Sequence, residues 1–136
     1  MTLEPLLSAK PVIIFHVIAA TTALTLGIAQ LSGAKGTRLH RALGWSWVLT
    51  MAAVAISSFW IHGMKQFGNF SWIHGLSIFV LVMLTVAVTA ARRHRVSAHR
   101  KTMIGLFIGA LVITGLFTLV PGRLMHEVVF SSAAAR

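Results

Sequence analysis

The sequence predicts an all-α integral membrane protein, a four-helix up-down bundle built from two parallel-repeat helical hairpins. Three observations predict it. Four apolar stretches each approach the roughly 20 residues that a helix needs to cross a bilayer, and none holds Asp, Glu, Lys or Arg in its interior. Basic residues gather in two of the three links between them. Each half of the chain also repeats one order of histidines and cations.

The spans fall at residues 11–31, 42–62, 71–91 and 102–121, within one transmembrane domain covering 1–136. The runs are continuously apolar, without the alternation of a barrel strand, so helices are expected. Links this short make consecutive spans antiparallel neighbours. The first run is too long for the apolar core of a signal peptide and reads as a retained span. Trp45, Trp47, Trp60 and Trp72 mostly flank span ends and read as an interfacial belt. Small-residue stripes at Ala19, Ala23, Gly27 and at Gly105, Gly109 suit close helix packing, inside the bundle or at a homodimer seam.

Charge sets the expected orientation. Twelve Lys and Arg face only two acids, a net charge of +10. The first link holds Lys35, Arg38 and Arg41; the third holds Arg92, Arg93, Arg95, Arg100 and Lys101. Only Lys10, Lys65, Arg123 and Arg136 lie on the other side. The positive-inside rule then places both termini outside a bacterial inner membrane. Because the cations sit between apolar runs, the expected partner is the lipid bilayer and not nucleic acid.

Composition removes most chemistries. The absence of Cys excludes disulfides, thiolate metal sites and cysteine nucleophiles. With Glu4 and Glu127 as the sole acids, carboxylate dyads and carboxylate metal cages are excluded as well. No Ser lies in a recognisable nucleophile motif, so hydrolysis is not expected. Seven His remain as the chemical resource.

Their spacing forms the repeat. His16 and His74 lie near the outer ends of spans one and three, while His40-Arg41 and His99-Arg100 open spans two and four. The separations are 24 residues in one half and 25 in the other. A parallel repeat sets His16 across from His74. Two facing imidazoles at one depth are what a haem iron takes as axial ligands, and an ionisable residue at membrane depth reads as functional by default. The expectation is therefore a haem b site on His16 and His74, serving electron transfer with a partner of unknown identity or haem-dependent redox sensing, with Arg123 pairing with a propionate. An alternative is copper or zinc held by some of His16, His62, His74 and His126, alone or beside the haem, since imidazole suits both metals. A further alternative is a cofactor-free scaffold or subunit. The two inner His-Arg pairs read first as lipid anchors and second as another haem site.

The motifs Gly36…His40-Arg41…Gly44, Phe70-Ser71…His74, His99-Arg100…Met103 and Pro121-Gly122-Arg123 resemble a bacterial family of small four-span predicted membrane proteins, catalogued as a domain of unknown function. The resemblance covers about residues 12–125 and implies the four-span fold but no activity. A looser likeness is to b-type transmembrane cytochromes. The chain departs from that pattern where His40 and His62 on one span stand 22 residues apart, or about 33 Å of helix.

Overall fold

The computed structural model describes residues 1–61 and 71–131, and these are helical without a strand. A short α1 (Glu4–Leu7) precedes α2 (Pro11–Ser32), α3 (Arg38–Ser58) and α4 (Trp72–Arg92). The last span is continuous from Val96 to Phe117. It comprises α5 (Val96–Gly105), a π-helical segment (Leu106–Ile113) and α6 (Thr114–Phe117), and α7 (Leu124–Phe130) follows. Among the described residues, four helices are long and apolar enough to cross a membrane.

The helices start and stop where local chemistry dictates. Pro11 sits in the first turn of α2, where its missing N–H costs nothing. At the other end, the Lys35 ammonium donates to the carbonyls of Gln30, Leu31 and Gly33 at 2.7–2.9 Å, covering orphan acceptors at the negative pole of the helix. Thr37 caps α3 by accepting the His40 N–H at 3.0 Å. Between α4 and α5 the chain makes a Schellman turn. The Arg95 N–H reaches Ala90 O and the His94 N–H reaches Ala91 O, with His94 at φ 54° where glycine is usual. Gly122, at φ 85°, turns the chain after Pro121.

Spans two and four begin earlier than their apolar runs. Arg38–Arg41 and Val96–Lys101 are already helical, because Arg, Lys and Leu are good helix formers and a capped helix can extend beyond the apolar slab.

Each span packs on its sequence neighbours, and the π-helical segment closes the ring against α2 and α4. Among the described residues the backbones of α2 and α4 do not approach each other, nor do those of α3 and the last span, so these pairs are diagonals of a four-helix square that meet only through side chains in the core. Both chain ends meet at one end of it. α1 packs on α7, and the Thr2 N–H donates to Val128 O at 3.0 Å. That end is called the terminal end below, and the opposite one the arginine-rich end.

The core is small and mixed in size. Ala23, Trp47, Met51, Ala55, Val80, Leu84, Leu106 and Leu111 form it. Ala19, Ala23 and Gly27 are buried on one stripe of α2, as close packing requires where lipid tails offer no hydrophobic contrast. Gly27 is the tightest point, where an added Cβ would lie 2.4 Å from the Phe107 ring. By contrast a Cβ on Gly105 or Gly109 meets nothing within 4 Å, so that stripe faces away from the bundle. Trp47, expected in the aromatic belt, is instead 2% exposed, whereas Trp45, Trp60 and Trp72 are exposed at span ends. Large apolar side chains such as Phe15, Ile18, Leu49, Phe79 and Ile113 point outward, toward lipid in a membrane protein.

Candidate functional site

At the terminal end, polar side chains of α2, α3 and α4 meet on the last turn of α3. Ser57 and Ser58 are adjacent, so they point about 100° apart around the helix axis, one toward each neighbouring span.

On the α2 side, the Ser57 hydroxyl lies 3.0 Å from Val54 O and hydrogen-bonds His16 Nδ1 at 2.8 Å. With the Ser57 proton given to Val54 O, His16 Nδ1 is the donor and its lone pair lies on Nε2. On the α4 side, Ser58 and Ser77 share a hydrogen bond between their hydroxyls. His74 completes this side. It occupies the third position of α4 and plays the part that Glu or Gln takes in a capping box, its Nδ1 accepting the Ser71 N–H at 3.1 Å. The proton is then on Nε2, which donates to Phe59 O at 3.3 Å. Phe59 also lies against the ring, with centroids 5.6 Å apart. His74 is 4% exposed, and the cluster gives both of its nitrogens partners, as burial demands.

His16 and His74 thus arrive from diagonal spans on one three-residue stretch, Ser57–Phe59. The other expected site residues are elsewhere or undescribed. His126 donates from Nδ1 to Leu119 O at 2.7 Å and packs on Phe130. Arg123 is the N-cap of α7, its guanidinium 5.6 Å from the centre of the Phe117 ring. His62 lies outside the described residues. Among the described residues no group of three His, Cys, Asp or Glu is placed to hold a metal ion.

The arginine-rich end carries the second histidine pair, and both members are tied to the preceding span. Gln30 of α2 donates its amide to His40 Nδ1 at 2.9 Å and to His40 O at 2.8 Å. His99 donates from Nδ1 to Ala87 O of α4 at 2.9 Å. His40 is within electrostatic reach of His99 across the diagonal. Among the described residues, two buried polar atoms here have no hydrogen-bond partner, Gln30 Oε1 and Trp47 Nε1. They flank a reciprocal contact, since Gln30 packs over Gly44 and Trp47 over Gly27.

Sequence reasoning found the four histidines but not the residues that orient them. Ser57, Ser58 and Gln30 carried a usable signal, as strongly polar groups on otherwise apolar spans. The His74 cap was also legible, because Ser71-x-x-His74 has capping-box spacing.

Four membrane-length helices among the described residues agree with a family of predicted membrane proteins. The chain belongs to DUF2306, a family of predicted membrane proteins whose function is not known. The match covers residues 13–135, and so takes in all seven histidines and both basic links. No curated protein and no solved structure matches the chain. Membership in DUF2306 makes this a membrane protein in contact with the lipid bilayer and assigns it no reaction.

Proposed function

We propose that this DUF2306 protein is a membrane haem b protein serving electron transfer, with His16 and His74 as the two axial ligands. The observation that carries the reading is the convergence of these imidazoles, from diagonal spans, on one turn of α3. With Nδ1–H on the Ser57 oxygen, His16 would have the arrangement of a ligating histidine, its Nε2 lone pair left for the iron. His74 would exchange its long bond to Phe59 O for the iron. Arg123, on the same end of the bundle, would pair with a propionate. A bound haem supplies a one-electron couple, and the protein's residues would hold it and set its surroundings.

The test is an optical spectrum of the full chain, expressed with added haem and purified in mild detergent. We expect a Soret band and a sharp α band on dithionite reduction, both lost in His16→Ala and in His74→Ala. A colourless wild-type protein overturns the proposal.

One observation favours a second reading, a cofactor-free scaffold. Both nitrogens of His74 already have protein partners, so the cluster would serve to lock α2, α3 and α4 together. That reading expects colourless protein, and a lower melting temperature for each histidine variant.

A further inference from the structure

The Schellman turn between α4 and α5 divides the basic link. Arg92 turns to α3, its guanidinium 5.8 Å from the centre of the Trp45 ring. Arg93 and Arg95, on either side of the left-handed His94, both line one groove of about 410 Å³. Its remaining wall is apolar or weakly polar, from Val82, Val86 and Thr89 of α4 and Ala98 of α5. Val82 and Val86 are among the exposed apolar side chains. From Val82 to Arg93 the groove follows α4 for about 16 Å, close to one leaflet of a hydrocarbon core roughly 30 Å thick.

We propose that this groove binds a single anionic phospholipid, one acyl chain lying along α4 and the phosphate between Arg93 and Arg95. Charge complementarity selects the occupant. The sole acids of the chain, Glu4 and Glu127, lie in α1 and α7 at the opposite end, so no protein carboxylate meets these guanidiniums. Arginine is suited to the task, because its planar fork can hold two phosphate oxygens at once. The depth is also right. Arg93 and Arg95 follow directly on the end of a membrane-length helix at Arg92, where lipid phosphates lie. The proposal is independent of any haem.

The full chain in mild detergent is mixed with equal amounts of phosphatidylglycerol and phosphatidylcholine of identical acyl chains, and retained lipid is measured by native mass spectrometry. One phosphatidylglycerol should be retained preferentially. The Arg93→Gln, Arg95→Gln double variant should lose the preference by about thirtyfold, the factor for two interfacial cations. The Arg38→Gln, Arg41→Gln variant removes equal charge from the other link and should keep it. Ala98→Trp, which fills the groove and leaves both arginines, should also lose the lipid while keeping the wild-type melting temperature. Equal loss in the two arginine pairs overturns the proposal in favour of diffuse attraction. Equal retention of the two lipids by wild type, or an Ala98→Trp variant that merely dissociates a dimer, overturns it as well.

Discussion

Gly27→Ala tests the packing of the bundle at its tightest point. The new Cβ would sit 2.4 and 2.5 Å from two carbons of the Phe107 ring and 3.0 Å from Trp47 Nε1. Carbon atoms rest at about 3.5–4.0 Å, so the ring would have to retreat by about 1 Å. Phe107 belongs to the last span and packs on the core cluster, and its retreat would separate the last span from α2. Overpacking of this kind costs about 1–3 kcal/mol. Against it stands the helix preference of Ala over Gly, at most about 1 kcal/mol. Gly105→Ala is the control. It carries the same preference and meets nothing within 4 Å, so it should be neutral or stabilising. The difference between the two variants isolates the clash. Thermal unfolding in detergent, followed by tryptophan fluorescence, should place Gly27→Ala below Gly105→Ala by that 1–3 kcal/mol. A Phe107→Leu partner substitution should restore most of the loss. Equal melting temperatures for the two alanine variants would refute the argument that the last span rests on α2 through Gly27.

Other expectations follow from single contacts. Ser57→Ala removes the acceptor of the His16 Nδ1–H; if His16 ligates iron, haem affinity should fall about 10- to 100-fold, measured by haem titration. His94→Gly relieves a left-handed residue at φ 54° and should stabilise the protein by about 1 kcal/mol in the same thermal assay. Thr37→Ala removes the side-chain cap of α3 and should cost about 1 kcal/mol. Lys35→Met strips three carbonyls of their ammonium donor; the loss should be a few tenths to 1 kcal/mol and should shrink in high salt.

The spans were readable in the sequence because a lipid-exposed helix writes its apolar character on every residue facing the acyl chains. Their ends were less readable. Hydropathy marks the edge of the apolar slab, whereas the helix ends at its cap. Thr37 starts α3 and Ser58 ends it, and neither coincides with the apolar run. Close packing was half readable. Both small-residue stripes have the same spacing, yet Gly27 is enclosed by Phe107 and Trp47 while Gly105 and Gly109 are open. Spacing records which residues share a face, and only the partner helix decides whether that face is covered. Trp47 shows the same limit, since an indole near a span end suits the interface and the core alike.

The repeat illustrates how one pattern can serve different local purposes. His16 and His74 were expected at equivalent places, one in each hairpin. In the bundle His16 stands in the second turn of α2 and reaches a serine of α3. His74 stands in the first turn of α4, and its imidazole folds back onto its own cap. At the arginine-rich end, His40 accepts from an amide of the preceding span, while His99 donates to a carbonyl of its own. In each pair, then, with His16 donating to Ser57, one imidazole has its lone pair on Nε2 and the other holds its proton there. This asymmetry lies in tautomers, which spacing cannot encode because the partner atom on a neighbouring helix decides it. It also makes a distinction between ligands. If the cluster takes up haem, His16 can keep its bond to Ser57, whereas His74 must first give up its bond to Phe59 O. Binding should therefore loosen the last turn of α3, which the histidine now clamps. Hydrogen exchange at Phe59 and Trp60 should quicken when haem is added, and unchanged exchange with haem bound would mean that the iron takes its second ligand from elsewhere.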